Sequence, residues 1–228
     1  MDALQLSPLS WVCRLTIQHM QLDPWGANSE IVMSLFLLNL VEHERVVTQL
    51  RSLDAAVESV VLSIAQVIRG GGKLFLCGNG GSAADCQHIA AEFVGRFVDE
   101  RRPLPAIALN TDTSALTCIG NDYSFDEIFS RQVRALATSR DCLLGISTSG
   151  NSGNVLRAID IANELGLLTV GLTGRGGGGL AVRAKLSIVV PSDVTARIQE
   201  AHILIGHTLC GGVEQQLGLV KPLAAALP

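Results

Sequence analysis

The chain has 228 residues, is 48% hydrophobic and 17% charged, and carries a formal net charge of −4. That is ample apolar material for a core and too little charge for a disordered chain, at a length that suits one domain with an appendage. No long run of Lys or Arg is present, and there are only one Tyr, two Trp and six Phe, so nucleic acid, which needs a basic face or stacking platforms, is not favoured as a partner.

The cysteines Cys13, Cys77, Cys86, Cys118, Cys142 and Cys210 form no CxxC pair. They read as buried free thiols of a cytoplasmic protein, not as a zinc site. Charges interrupt every apolar stretch before the ~20 residues of a bilayer span, so no membrane partner is expected. Residues 1–26 lack the charged head, apolar middle and small-residue cleavage site of a secretory leader. Residues 1–30, with Trp11 and Trp25, read as an N-terminal extension expected to be poorly ordered.

From 31 to 68, Leu35, Leu38 and Val41, and then Val46, Leu50, Leu53, Val57, Val60 or Val61, Ile64 and Val67, recur at spacings of three and four within each run, the helical period. Glycines at 70–72 end this helical segment, assigned to 31–72. The remainder, 73–228, alternates strands and helices. Short apolar runs at 73–77, 105–109, 142–146, 168–172 and 186–190 suit buried parallel strands. Helices are expected over 83–97, near 113–118, over about 125–136, over 154–165, and in a long closing helix from about 195 to 217. The alternation predicts an α/β fold: a doubly wound, mostly parallel five-stranded sheet flanked by helices, with N-terminal helices.

Ligands of such sheets sit at the C-terminal ends of the strands. Two loops there have anion-binding chemistry. Residues 147–152, Ser-Thr-Ser-Gly-Asn-Ser, offer hydroxyls, an amide and glycine-freed backbone N–H groups just before a helix N-terminus. Residues 78–82, Gly-Asn-Gly-Gly-Ser, are a second loop of the same kind. Turn and cap formation alone would explain either loop; two at equivalent positions point to a phosphorylated ligand. Neither is a GxxxxGK[ST] loop or a dinucleotide fingerprint, so nucleoside triphosphates and NAD are disfavoured.

His88 and Glu92 are four apart on the helix after the first loop, hence on one face. Gln199 and His207, eight apart on the last helix, differ by about 80° and share a broad face. Imidazoles, a carboxylate and an amide oxygen suit either zinc or acid–base chemistry on a hydroxy-carbonyl. Spacing alone leaves His202 as good a candidate as His207, and does not exclude Asp85 or Glu200. His19 and His43 read as surface or packing residues.

The run from Cys77 to Phe93, CGNGGSAADCQHIAAEF, resembles the signature of bacterial phosphoheptose isomerases of the SIS (sugar isomerase) group. NTDTS at 110–114, GNDY at 120–123, STSGNS at 147–152 and RIQEAHILIGH at 197–207 continue the resemblance in order, over about 46–217. The resemblance implies a sedoheptulose 7-phosphate isomerase acting through an enediol, with Glu92 as base and His207 as its partner acid. It implies zinc, held by His88, Glu92, Gln199 and His207, and substrate contacts from Asn79, Gly80, Gly81, Ser82, Glu92, Asn121, Asp122, Ser147, Thr148, Ser149, Ser152 and Gln199. It also implies a homotetramer with active sites between subunits. The alternatives are a non-catalytic SIS adaptor that binds the replication initiator, a sugar-phosphate sensor, and an isomerase for another sugar phosphate. Glu92 and His207 argue against the adaptor, and the lack of a basic segment against the sensor.

Overall fold

The structure, a computed structural model, describes residues 33 to 221; the extension expected over 1–30 lies outside the described residues. From Glu42 onward the chain forms one compact unit. The N-terminal periodic segment divides into α1 (Leu35–Gln49) and α2 (Asp54–Arg69), separated by a 3₁₀ turn, Leu50–Leu53. The turn lets Leu50 and Leu53 pack against the core and starts α2 with an acidic residue, Asp54, where the helix dipole favours one. Gly71, at φ 78°, turns the chain out of α2.

The sheet is β1 (Leu74–Gly78), β2 (Ala106–Ala108), β3 (Cys142–Ser147), β4 (Leu168–Thr173) and β5 (Leu186–Val189). Its spatial order is β2-β1-β3-β4-β5, and all four pairings are parallel. The other helices are α3 (Gly81–Val94), α4 (Thr113–Asp122), α5 (Ser130–Leu136), α6 (Gly153–Glu164), α7 (Gly178–Arg183) and α8 (Thr195–Gln216). Alternation along β1 sorts its side chains onto two faces. Leu74 and Leu76 join Ile64 of α2, Phe93 of α3 and Leu209 of α8. Phe75 and Cys77 join Val133 of α5, Ile159 of α6 and Leu180 of α7. Each fully buried Leu or Phe contributes on the order of 1.5–3 kcal/mol.

Several elements differ in extent from the sequence expectation. Helix α3 ends at Val94, before Gly95, instead of running to 97. Helix α4 runs ten residues because Asp112 caps it, Oδ1 accepting the Ala115 N–H at 2.9 Å. Gly120, Asn121 and Asp122 therefore end a helix instead of following one. The 125–136 stretch is a 3₁₀ turn, Phe125–Glu127, followed by α5, with Ile128 and Phe129 buried between them. The glycine cluster at 176–179, where no helix was expected, opens α7 from Gly178, with Gly176, Gly177 and Gly178 all at positive φ.

The start of the sheet is fastened by Asp141, which is buried. Its carboxylate accepts from the Lys73 N–H and Nζ, both at 2.9 Å, and from the Thr138 N–H at 2.7 Å. At the other edge, β1 leads through α3 to β2 on one side, while β3 leads through α6 to β4 on the other. Strand order therefore reverses between β1 and β3. The register Gly78↔Ile146 sets the two polar loops side by side at that switch point, the place where open α/β sheets bind ligands.

Candidate active site

The β1 loop depends on glycines at three positions. Gly80 has φ 55° and ψ −121°, a conformation that L side chains avoid. A Cβ on Gly78 would lie 2.9 Å from Ser82 Cβ and 3.0 Å from the Ile146 carbonyl oxygen. A Cβ on Gly81 would fall 2.2 Å from Gln199 Nε2. The missing side chain thus lets the Gln199 carboxamide of α8 reach the first turn of α3. Asn79 and Asn154 exchange amide hydrogen bonds of 2.8 and 2.9 Å, which tie this loop to the first turn of α6. Asn110 Nδ2 donates to the Gly78 carbonyl at 2.7 Å.

The β3 loop is lined by hydroxyls. Ser147 and Ser152 lie 2.9 Å apart, Oγ to Oγ, with Ser149 Oγ at 3.5 Å from Ser147. Thr148 is half-buried beside them. Gly150, at φ 66°, has no room for a side chain, since a Cβ would meet the Gly177 carbonyl oxygen at 2.0 Å. Helix α6 begins at the end of this loop, so its N-terminal partial positive charge faces the hydroxyl cluster without any Lys or Arg in the loop. The Asp126 carboxylate packs against Gly153, so the cradle is not uniformly positive.

The ionisable cluster lies where α3 meets α8. His88 Nε2 stands 2.9 Å from His207 Nε2 and 3.6 Å from Glu92 Oε1. The two imidazoles meet edge to face with centroids 5.1 Å apart, and Phe97 stacks on His207 at 5.3 Å. The His88 side chain is 49% exposed and that of Glu92 22%, so the cluster opens to solvent on one side. His202 points elsewhere: it is fully buried, and burial pulls its imidazole down to about 4, offset in part by the Thr173 backbone. Asp85, one turn before His88, is raised by burial and lowered by the His88 charge. Glu200 is engaged with His43 at 2.7 Å and with Arg197.

The three parts form one connected edge. Ser147 and Ser152 adjoin Asn154, Asn154 pairs with Asn79, Gly81 abuts Gln199, and α8 carries Gln199 on to His207 and so to His88 and Glu92. Asn121 and Asp122 differ. Both are exposed, and their bonds are local: Asn121 Nδ2 to Asp122 Oδ1 at 2.8 Å and the Cys118 thiol to Asp122 Oδ2 at 3.4 Å. These bonds, that of Asn121 foremost, hold the Asp122 carboxyl below its ordinary range. Neither residue is hydrogen-bonded to the serine loop or to the histidines. Sequence reasoning passed over Asn110, Asn154 and Phe97 as site residues; a polar residue at a strand end or helix start was the available signal for the two asparagines.

The cluster suits a divalent ion in donor type. Two imidazole nitrogens converge, with a carboxylate oxygen beside them and a carboxamide on the adjoining turns of α8, the nitrogen and oxygen donors zinc accepts. The 2.9 Å between nitrogens is slightly closer than the roughly 3.3 Å edge implied by tetrahedral bonds of about 2.0–2.1 Å. Among the described residues no three His, Cys, Asp or Glu side chains close on one point as a finished metal centre. An ion held by all four would require side-chain movement, Gln199 above all, since eight residues separate it from His207 and that is about 12 Å of helix rise.

A family model for the SIS domain matches residues 41–174. The phosphoheptose isomerase of Geobacter sp. (strain M21) is 56% identical over 178 residues, 78% of this chain and 93% of the relative. Among solved structures, the phosphoheptose isomerase of Neisseria gonorrhoeae superposes with a TM-score of 0.73 at 45% identity, covering 79% of this chain and 97% of the other. That of Francisella tularensis gives 0.74 at 37% identity, covering 81% and 100%. With the β1 and β3 loops and α3, which carries His88 and Glu92, inside residues 41–174, and relatives such as the Geobacter protein more than half identical over most of both chains, the chain belongs to the SIS-domain family and, within it, to the phosphoheptose isomerases.

Proposed function

We propose that the protein is an aldose–ketose isomerase that converts sedoheptulose 7-phosphate to D-glycero-D-manno-heptose 7-phosphate, the first step toward a nucleotide-activated heptose. The observation that carries this reading is the Glu92–His88–His207 cluster, joined through Gln199, Gly81, Asn79 and Asn154 to a hydroxyl-lined loop at a helix N-terminus. One end suits a phosphate, the other a proton transfer, and a sugar phosphate presents both groups on one molecule.

In this reading Ser147, Thr148, Ser149 and Ser152 hold the phosphate with the α6 N–H groups. Asn79, Gly80, Gly81, Ser82, Asn121, Asp122 and Gln199 fix the sugar chain. Glu92 takes the C1 proton of the ketose, the electron pair forms the C1–C2 double bond of the enediol, and the proton returns at C2 to give the aldose. His207 donates to the C2 oxygen and accepts the proton released as O1 becomes the carbonyl, so the net transfer is two hydrogens from C1–O1 to C2–O2. His88, Glu92, Gln199 and His207 would hold zinc, which when bound supplies Lewis-acid polarisation of the carbonyl.

The molecule is proposed to work in the cytoplasm as a homotetramer with sites between subunits. Leu35, Phe36, Leu38 and Val41 of α1 and Val94 and Val98 near the cluster are exposed, as faces covered in an assembly would be. No helix among the described residues is long and apolar enough to cross a membrane.

The test is proton exchange followed by NMR. Sedoheptulose 7-phosphate is added to the protein in D₂O with and without zinc. Aldose carrying solvent deuterium at C2 is expected; no turnover under any metal condition, with intact fold and phosphate binding, overturns the reading in favour of an adaptor or sensor.

A further inference from the structure

The two sides of the proposed proton transfer sit on different helices, Glu92 in the last turn of α3 and His207 in the middle of α8. We infer that Arg101 and Glu214 form a buried brace that sets the spacing of Glu92 and His207, making both positioning residues for the reaction. The inference rests on the isomerase reading of that pair.

Arg101 lies between α3 and β2, and its side chain and that of Glu214 are each only 2% exposed. Arg101 Nε and Nη2 both stand 2.7 Å from Glu214 Oε1. The rest of the guanidinium is spent on the end of α3. Nη2 donates to the Glu92 carbonyl at 2.6 Å, and Nη1 donates to the carbonyls of Phe93 at 2.8 Å, Gly95 at 2.7 Å and Arg102 at 3.0 Å. A helix leaves its last carbonyls without intrahelical partners, and a cation there also meets the negative end of the dipole. Arg101 is thus the cap of the very turn that presents Glu92.

Glu214 completes the connection from the other side. It follows His207 by seven residues, two turns along the same face of α8. The oxygen that accepts from Arg101 also accepts the Phe97 N–H at 3.2 Å, and the Phe97 ring stacks on His207 at 5.3 Å with planes 27° apart. One carboxylate oxygen therefore holds the cap of the Glu92 turn and the backbone of the residue that packs on His207. A guanidinium suits this role because its five donors lie in a fixed planar fork; an ammonium has three, on a flexible stem. An ion pair serving stability alone could be replaced by apolar side chains with little consequence, whereas this one is bonded to the Glu92 backbone itself.

The test compares full-length wild type with Arg101→Lys, Glu214→Gln and Phe97→Leu. Folding is checked by circular dichroism. The readouts are kcat and KM for the sugar phosphate, affinity for inorganic phosphate, and the His207 ring resonances by NMR. Arg101→Lys is expected to lower kcat at least about tenfold, to change KM and phosphate affinity by less than about threefold, and to move the His207 resonances. Phe97→Leu, which leaves the ion pair in place, is expected to move the same resonances and lower kcat. A folded Arg101→Lys protein with unchanged kcat and unmoved resonances overturns the inference, as does phosphate affinity falling in step with kcat. Where the ion-pair variants do not fold, Phe97→Leu decides by the same readouts. Should the wild type show no isomerisation, the resonances and phosphate affinity still decide the brace separately from the function.

Discussion

His88 and His207, 119 residues apart in the chain, meet Nε2 to Nε2 at 2.9 Å where α3 crosses α8. Two nitrogens at that distance either share a proton or take a common electrophile between them. Glu92 beside them completes a group able to move a proton, and its partly open position leaves room for a substrate.

Replacing either member of the proposed acid–base pair should abolish turnover without unfolding the protein. Glu92 and His207 are half-buried and belong to neither apolar core cluster. Glu92→Gln and His207→Ala are expected to lower kcat by roughly 10²–10⁴-fold, with affinity for inorganic phosphate and the circular dichroism spectrum unchanged. A Glu92→Gln protein that stays fully active with zinc would sink the base assignment.

Zinc binding can be read apart from catalysis. Equilibrium dialysis of chelator-treated protein is expected to return about one zinc per chain, and His88→Ala to weaken that binding at least about tenfold, the range seen when metal-site contacts are removed. Equal stoichiometry and affinity in wild type and His88→Ala would remove His88 from the ligand set.

Two glycine substitutions should separate site from scaffold. At Gly81 a Cβ would press on the far end of the Gln199 side chain, which can swing away. Gly81→Ala is therefore expected to cost activity while changing stability by less than about 1 kcal/mol. At Gly150 the Cβ would strike the Gly177 carbonyl from a positive-φ position, and backbone cannot swing away. Gly150→Ala is expected to lose about 2 kcal/mol or more. Urea melts and turnover of both variants check the pair; equal stability losses would contradict it.

The strands were legible because each is a short apolar run ending in glycine or polar residues, and the reversal between β1 and β3 makes two such runs into one site. The choice between His202 and His207 was not legible, since both lie within a helical face of Gln199 and only the packing against the sheet buries one. The Asn79–Asn154 exchange spans 75 residues and the Arg101–Glu214 pair 113. Helical or strand periodicity carries no information about partners that far apart. Helix α4 extends past 118 and through Gly120, a poor helix former, because the Asp112 cap and the i,i+4 ladder carry it.

Asp141 should make the fold acid-sensitive. Burial pushes its carboxyl upward, but hydrogen bonds from Thr138 and Lys73 outweigh this and leave it below its ordinary range. A depressed carboxyl contributes stability above its unfolded value, about 3.9, and loses it as pH falls through the lower folded value. Asp141→Asn is expected to destabilise by about 2 kcal/mol at pH 7, the scale of bonds to a buried charge, and the gap to wild type should shrink below about pH 4. A gap independent of pH down to 2 would show that shape, not charge, is what Asp141 supplies.

His202 should impose a second, separate slope at milder pH. No hydrogen bond of good geometry reaches either ring nitrogen, and burial, offset in part by the Thr173 backbone, brings the imidazole down to about 4. An exposed histidine takes its proton near 6.5. As pH falls below that value the unfolded chain binds a proton that the folded chain refuses, so the neutral ring stabilises the fold above about 6.5 and that stabilisation is lost progressively toward 4. Between pH 7.5 and 5 the loss amounts to about 2 kcal/mol. His202→Leu, similar in bulk and unable to titrate, is expected to flatten this part of the stability curve in urea melts at the two pH values while leaving the His88–His207 contact in place. A wild-type protein whose stability is the same at pH 7.5 and 5 would mean that the ring is protonated in the core, and that α8 carries a buried charge beside β4.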